Sequence, residues 1–415
     1  MGVVNVDDLK EGMVLAVDLI DGRGRFLLGR GTVLEDKHLR IMKIWGITAA
    51  DIEGVNREEL AQRALKQFTP KILKEAQTYV DELFCTSLEP HDALEELKRL
   101  CLLRTAQKIS LGITLPRFSG TEHIAQPKEP KLQLHSLVDK NVNLSSFPEI
   151  YHQIVEVLNN PRSSAYRVAE VVSKDTSLSA TLLKLVNSAF YGLPSKVDSI
   201  TRAVALIGGR ELSTLALGIS VIRYFKDIPP DLVNMKSFWM HSVACGIFAR
   251  ILANRKMELA EEQFFLGGLL HDIGSLIMLK EFPKTMAYLI NVSLRMSIPL
   301  FHVEQEVLGY DHARVAGMML EKWNFPPQLI QMIRYHHSPL ASRSSLEPSI
   351  VLVASIMAAT LWYGDSGSRY APPFEKKTWD TIGLSHSIFD SAIKQADRQV
   401  NEILQAFHLV EEEKE

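Results

Sequence analysis

Histidines and one aspartate supply most of the groups in this sequence that could do chemistry. Six of the thirteen histidines lie between positions 241 and 337, and one of these is followed directly by an aspartate. The residues are His241, His271, His302, His312, His336 and His337, with Asp272 after His271. Neutral imidazoles together with a carboxylate are the ligands that first-row metals take in proteins. The cluster therefore indicates a candidate site for a divalent Fe, Mn or Zn ion.

A second interpretation of the same residues needs no metal. His271 and Asp272 lie in the segment GGLLHDIG, where apolar residues flank them, so we expect both to be at least partly buried. Buried polar groups are tolerated when they are paired, and the cluster could be a hydrogen-bonded part of a helical core. His302 is expected to be an ordinary surface or loop histidine.

The elements that must position these residues are helices. From Leu144 onward apolar residues recur at helical spacing, as in PEIYHQIVEVLNNP, SSAYRVAEVVSKD and the run from Ser177 to Phe190. Asn187 and Ser188 are typical of a helix end with a polar bend. A last amphipathic helix is predicted over 384–409. No alternation typical of a sheet occurs in this part of the chain.

The first 54 residues read differently. Two apolar runs flank the turn Asp21-Gly22-Arg23-Gly24, which predicts a hairpin, and a short helix and a strand around Ala50 follow. We therefore divide the chain into a small β-rich module (1–54), a helical connector (55–114), a proline-containing linker (115–136), a helical domain (137–360) and a C-terminal helical extension (361–415). The fold class is mainly α.

Composition restricts the partners. The chain of 415 residues has 46 basic and 49 acidic residues and a net charge of -3, without the basic excess that drives binding to nucleic acid. The segment 163–190 resembles a helix-turn-helix, but its second helix offers only Lys184 to DNA. DNA binding is thus the least favoured alternative.

The expected location is the cytoplasm. No apolar stretch reaches the 18 residues of a membrane span, and acidic residues stand where a secretory signal would be basic. The cysteines Cys85, Cys101 and Cys245 are widely spaced and form no CxxC pattern, which favours core thiols in a reducing compartment.

The helical segment resembles the HDOD family, a relative of the HD-type phosphohydrolases. The resemblance rests on Asp175-Thr176-Ser177-Leu178, on the block NSAFYG at 187–192, and on FFLGGLLHDIGSLIM, EVLGYDHARVAGMMLEKWNFP and IRYHH, and it covers roughly 137–359. It implies a helical HD/HDOD-type bundle. The first fifty residues resemble the small domain that precedes many HD-GYP phosphodiesterases, as either a packing module or a sensory one.

The resemblance also implies a ligand set. By position, His241, His271 and Asp272 match the first three metal ligands of HD hydrolases, and the HD-GYP comparison adds His312 and His337. The fourth HD ligand, an Asp, is replaced by Ser355, and a hydroxyl is a much poorer ligand than a carboxylate.

Two more differences from the HD-GYP pattern concern the residues that would bind a substrate. Ser275 stands where HD-GYP proteins carry a Lys, and no Gly-Tyr-Pro follows the histidine pair. The site is therefore a degenerate one.

These observations favour a signalling or regulatory protein that acts by binding and does not catalyse a reaction. We expect a signalling protein as partner and leave open a nucleotide-type small ligand and a homo-oligomer, without a membrane or nucleic acid. We expect no cofactor, with the divalent metal as the alternative. The competing function is a metal-dependent phosphohydrolase that acts on a cyclic dinucleotide or nucleotide.

Overall fold

The computed structural model describes residues 2–6, 9–20, 26–44, 47, 49–54, 65–87, 89–116, 127, 133–141, 149–160, 163–225, 233–254, 261–407 and 409. The fold is mainly α, as the sequence predicts, with short strands near the N-terminus. Among these residues no single helix is both long and apolar enough to cross a bilayer, although Ile200–Ile207 and Gly209–Ile222, bent by 118°, pass that test as a pair.

Short antiparallel strand pairs build the N-terminal module. Strand β1 (Gly2–Asn5) pairs with β4 (Ala49–Ile52), and β2 (Leu19–Ile20) pairs with β3 (Phe26–Leu28). Helix α1 (Asp36–Ile44) lies between β3 and β4 in the chain and contributes Met42 to a small core of its own. The predicted hairpin turn at 21–24 lies outside the described residues, and β1 is a strand that the sequence patterns did not indicate.

Helices, joined by turns and loops, are the main elements of the rest of the described chain. They are α2 (Pro70–Leu83), α3 (Asp92–Ser110), α4 (Leu134–Asn141), α5 (Glu149–Asn159), α6 (Ala165–Ser173), α7 (Thr176–Val186), α8 (Ile200–Ile207), α9 (Gly209–Tyr224), α10 (Met235–Asn254), α11 (Glu261–Leu270), α12 (Ile273–Glu281), α13 (Pro283–Met296), α14 (Leu300–Leu308), α15 (His312–Lys322), α16 (Pro327–Arg334), α17 (Leu346–Thr360), α18 (Lys376–Ile382) and α19 (Ile388–Ala406). A single 3-10 turn, Pro339–Ala341, separates α16 from α17 within this region.

One hydrophobic core joins these helices. It extends in sequence from Val80 in α2 to Phe407 after α19. Polar contacts accompany it at its edge: the Cys101 thiol donates to the Thr360 carbonyl oxygen at 3.0 Å, and the Arg104 guanidinium forms two hydrogen bonds with the Asp397 carboxylate. Helices from the predicted connector, the predicted domain and the C-terminal extension thus share the same core.

The NSAFYG block begins at a helix end, which is the role expected for Asn187. Helix α7 stops at Val186, four residues before the predicted end. The Asn187 amide nitrogen donates to the carbonyl oxygens of Leu183 and Val197, and its amide oxygen accepts from the Val197 N–H at 2.7 Å. One side chain therefore closes the helix and fixes the chain that leads to α8, since it satisfies groups that a helix end leaves free.

The cysteines differ in environment. Cys101 and Cys245 are buried, as predicted, but Cys85 is exposed, so its assignment to the core was wrong. Cys85 follows the end of α2, where the chain turns at the surface and the thiol donates to the Ser297 carbonyl oxygen at 3.3 Å. Burial raises the pKa of the Cys101 thiol to about 12.

We predict that Cys85 alone reacts with a disulfide reagent in the folded protein. Thiolates are the reactive form. Burial raises the pKa of the Cys101 thiol and also shields it from the reagent. Titration with Ellman's reagent at about pH 8 should count one thiol in the native chain and all three after denaturation. Rapid modification of three native thiols would contradict the packing described here.

Candidate metal centre

Five structural elements bring the candidate residues together. His241 lies in α10, and His271 and Asp272 form the turn between α11 and α12. His312 is the first residue of α15, the pair His336-His337 follows α16, and Ser355 lies in α17. Residues more than a hundred positions apart in sequence thus meet in the core of the helical bundle.

Two glycines permit this approach. Helices α10 and α11 pack so closely at Gly268 that a Cβ there would lie 2.6 Å from the carbonyl carbon of Cys245. A Cβ at Gly274 would collide with the carbonyl oxygen of His312, where α12 packs against the start of α15. Glycine is therefore required at both contacts, which hold the His271-Asp272 turn beside His241 and His312.

The Asp272 carboxylate occupies the middle of the cluster. Its Oδ2 lies 3.1 Å from His271 Nε2 and 3.6 Å from His241 Nε2. Its Oδ1 lies 3.1 Å from His312 Nε2 and 3.8 Å from His336 Nε2. The side chain is only 5 % exposed, so four imidazoles replace most of the water that would otherwise solvate this charge.

The hydrogen bonds of His271 fix which nitrogen faces the centre. Its Nδ1 lies 2.7 Å from the Gly268 carbonyl oxygen and must donate to it, since a carbonyl only accepts. Its Nε2 then faces Asp272, His241 at 3.3 Å and the Ser355 hydroxyl at 3.2 Å. The lone pair of His271 Nε2 would repel the Asp272 carboxylate unless a proton or another cation lies between the two groups.

His312 has the same arrangement with a carboxylate behind it. Its Nδ1 lies 2.6 Å from Glu304 Oε2, which also accepts the His312 backbone N–H at 2.9 Å. Glu304 is completely buried in α14. The pair Glu304–His312 directs Nε2 of the ring at Asp272, and a carboxylate behind a histidine is the usual outer partner of a metal ligand.

The adjacent residues His336 and His337 make different contacts. His336 Nδ1 contacts the Ile333 carbonyl oxygen at 2.8 Å, and its buried Nε2 has no hydrogen-bond partner among the described residues. His337 Nδ1 contacts Asp311 Oδ2 at 3.1 Å, and its ring stacks on Phe301 with centroids 4.1 Å apart. Both rings stay within reach of His312.

Charge and burial divide the rings into two groups. Burial, with a further contribution from His271, lowers the pKa of His241 to about 4, and burial also lowers the pKa of His336 and His337. Burial opposes protonation of His271 and His312, but the adjacent Asp272 and Glu304 raise the pKa of these rings well above the usual value.

The pKa of the Asp272 carboxyl group shifts in the opposite direction. Burial opposes ionisation of Asp272, but its contacts with His271 and His312 lower the pKa of the carboxyl well below its usual range. Without a metal, positive charge on two rings therefore balances the buried carboxylates.

The donor atoms fit a divalent metal. Two groups among the described residues could each hold an ion: His241, His271 and Asp272 form one, and His312, His336 and His337 form the other. Within each group the ligand atoms lie within 4.8 Å of one another. The unpartnered Nε2 of His336, and the Nε2 of His271 and His312 facing carboxylate oxygens, are the atoms that an ion would satisfy.

The structure brings together every residue that the sequence proposes for the site. His241, His271, Asp272, His312, His337 and Ser355 all contact the cluster or one of its members. His302 belongs to neither group: it is exposed in α14, as expected for a surface residue, and its ring packs on Phe301 with centroids 4.0 Å apart.

Sequence reasoning missed two members. His336 was seen as part of a pair, but only His337 was assigned a role, because spacing cannot decide which of two adjacent rings turns inward. Glu304 lies eight positions before His312 with the left-handed Gly309 between them, so no helical spacing connects the two residues.

Residues 144–339 match the HDOD domain profile. The chain therefore contains an HDOD domain, and the predicted family resemblance is confirmed. Asp272 and the histidines of the cluster all lie within the matched residues. Ser355 lies beyond them.

Two further proteins are similar to parts of this chain. An uncharacterised protein of Treponema pallidum is 26% identical over 220 residues, which are 53% of this chain and 42% of that protein. The uncharacterised protein YuxH of Bacillus subtilis is 31% identical over 86 residues, 21% of this chain and 20% of YuxH. The chain thus matches less than half the length of either relative.

The structural neighbours share the fold. An HDOD domain protein of unknown function from Geobacter sulfurreducens has a TM-score of 0.52 at 22% identity, with 65% of this chain and 97% of that chain covered. A protein from Shewanella amazonensis SB2B, provisionally named a phosphohydrolase, has a TM-score of 0.53 at 24% identity and covers 67% of this chain and 100% of its own.

We predict that Glu304→Gln weakens Mn²⁺ binding about 10- to 100-fold, since outer partners of this kind orient and polarise a ligating histidine. Equilibrium dialysis against Mn²⁺ measures the change. Glu306→Gln is the matched control, because Glu306 is exposed on the same helix. Equal affinity of the two variants would contradict the assignment of Glu304 as the outer partner of a ligating His312.

Metal binding should also release protons. The carboxylates beside His271 and His312 raise the pKa of both rings, which favours a proton on each ring, and a metal that binds their Nε2 atoms has to displace that proton. Calorimetric heats of Mn²⁺ binding should then differ between buffers of different ionisation enthalpy, and affinity should rise from about pH 6 to about pH 8. Heats that are independent of the buffer, with constant affinity, would contradict this protonation state.

Proposed function

We propose that this protein is a regulatory, signal-transducing protein whose HDOD domain binds partners and does not hydrolyse a substrate. The observation that carries the proposal is the contact between the Ser355 hydroxyl and His271 Nε2 at 3.2 Å. Position 355 faces the centre of the cluster, as the comparison with HD hydrolases implies, but it offers an alcohol where those enzymes have a carboxylate.

The missing carboxylate changes the charge available to an ion. Asp272 is the one carboxylate in the two candidate ligand groups within the described region. Anionic oxygen ligands set how strongly hard divalent ions bind, and a neutral hydroxyl in this position leaves more of the ion's charge uncompensated. A metal held by His241, His271 and Asp272 would supply Lewis-acid activation of a phosphoryl group in an enzyme.

Substrate binding lacks support as well. His241, His271, Asp272 and His336 are all buried, so the centre is enclosed by the core. No Lys or Arg of the described residues forms an ion pair with Asp272 or a hydrogen bond with the rings around it. A phosphodiester needs both access and cationic groups to balance its charge. These features favour a structural or sensing role for the site.

The second candidate function is metal-dependent phosphohydrolysis. The convergence of imidazole nitrogens on Asp272 favours it, because such a set suits a catalytic metal as well as a structural one. The name of the Shewanella amazonensis neighbour points the same way. A cyclic dinucleotide or nucleotide would be the substrate class.

The partner in the proposed role is a signalling protein or a small ligand, in the cytoplasm. The balanced charge of the chain supports protein or small-molecule recognition over DNA, and a homo-oligomer is compatible with the same role. In segment 163–190, Lys184 is still the one cation in the helix that would have to read bases.

Restoring the carboxylate tests the proposal. Ser355→Asp should raise Mn²⁺ affinity about tenfold or more, because it adds a charged oxygen beside His271. Ser355→Ala is the matched control and should leave affinity near that of the wild type. Both are measured by dialysis and by hydrolysis of bis(p-nitrophenyl) phosphate and of a cyclic dinucleotide. The Mn²⁺-loaded wild type should hydrolyse neither substrate above background. Robust turnover by the wild type would reject the proposal in favour of the phosphohydrolase.

A further inference from the structure

A cavity of about 510 Å³ lies away from the histidine cluster. Four helices enclose it: α5, α6, α9 and α16. Its polar lining consists of Asn160, Ser163, Arg210, Ser213 and Gln328. Val157, Leu158, Val168, Pro326 and Pro327 form apolar walls. Cavities of roughly 300–1,000 Å³ with apolar walls and a few polar groups are the usual form of small-molecule sites.

Arg210 gives the cavity its charge. The side chain is exposed in the first turn of α9, and none of the described residues forms a hydrogen bond or ion pair with its guanidinium. Two other arginines have carboxylate partners: Arg167 pairs with Glu170, and Arg250 with Glu261. An unpaired guanidinium in a concave site presents its donors to a planar or tetrahedral anion.

The backbone adds donors of the same sign. The first turns of α6 (Ala165), α9 (Gly209) and α16 (Pro327) all line the cavity. Ser164 caps the start of α6, and Pro327 has no N–H, so the donors come mainly from α9, which Gly208 leaves without a side-chain cap. Free N–H groups at a helix start favour anions. The Glu211 carboxylate packs against Gly208 and offsets part of this positive end, so Arg210 supplies most of the positive charge.

We propose that this cavity binds a phosphorylated small molecule of mononucleotide size. Arg210 and the start of α9 would hold the phosphoryl group, and Val157, Val168 and Pro326 would pack against the rest of the molecule. The volume exceeds what inorganic phosphate requires, and the apolar walls would be left unused by it. The proposal deepens the regulatory function above, since it gives the small ligand a site.

Helix α16 connects this cavity with the histidine cluster. Its first residue, Pro327, lines the cavity, and its last, Arg334, precedes His336 by two positions. The helix is roughly 12 Å long at 1.5 Å per residue. No residue that lines the cavity is a member of the histidine cluster, so the two sites can be tested separately.

Calorimetry with the full chain tests the site, with AMP, adenosine and inorganic phosphate as probes. AMP should bind more tightly than either of the other two, because it alone combines the phosphoryl group with an apolar base. Arg210→Gln should weaken AMP binding about tenfold or more, as expected for loss of a charge-assisted hydrogen bond. Arg343→Gln is the control, since Arg343 is exposed outside the cavity.

A second variant guards against an indirect effect of charge. Gln328 is exposed at the rim, so Gln328→Trp should cover the cavity without disturbing the core and should also abolish AMP binding. Both variants should keep the wild-type melting temperature, measured by circular dichroism, which shows that they fold.

The outcomes separate this proposal from the proposed function. Failure of AMP to bind the wild type at millimolar concentration, or binding that survives both variants, overturns the cavity assignment. AMP binding that is lost in His336→Ala but kept in Arg210→Gln would place the nucleotide at the histidine cluster and also overturn it. Neither result depends on whether the cluster hydrolyses phosphodiesters.

Discussion

The buried carboxylate of Asp272 constrains the positions of the elements that surround it. Asp272 lies at the junction of α11 and α12, 3.1 Å from both His271 and His312, with its side chain 5 % exposed. An ionised group so far from water costs several kcal/mol unless opposite charge or donors surround it, by order-of-magnitude reasoning. Imidazoles from α10, the α11–α12 turn, α15 and the segment after α16 provide that compensation, so the positions of four elements are tied to one side chain.

The same constraint explains why the cluster suits a metal. Protons on His271 and His312 balance the carboxylate in the absence of an ion, and a divalent cation could replace both. Ser355 provides no second negative charge, and Ser275, which is also buried, has a neutral side chain. In the proposed regulatory role, the histidines balance the charge of Asp272, and no group of the site acts on a phosphate.

Much of the helical architecture could be predicted from the sequence, because local signals coincide with helix ends. Ser164, Asp175 and Ser199 accept hydrogen bonds from the first turns of α6, α7 and α8, and Asn187 closes α7. Strand β1 could not be predicted: its four residues carry no alternation of their own, and the strand exists only through pairing with β4, some fifty residues away. The exposure of Cys85 is likewise set by where α2 ends against its neighbours.

The residues of the site, like the elements of the fold, could be predicted only in part. Residue types and the family resemblance located His241, His271, Asp272, His312 and the serine at 355, and the structure places them together. Glu304 and His336 depended on tertiary packing: Glu304 reaches His312 across the Gly309 turn, and a hydrogen bond to Ile333 decides that His336 faces Asp272.

Asp272 and its histidines have the geometry of a cation site, and anomalous diffraction from crystals grown with Mn²⁺ can show whether an ion binds there. We expect an anomalous peak among His241, His271 and Asp272, with the group of His312, His336 and His337 as the adjacent position. Crystals saturated with Mn²⁺ that show no peak at either group, with His271 still hydrogen-bonded to Asp272, would contradict this expectation.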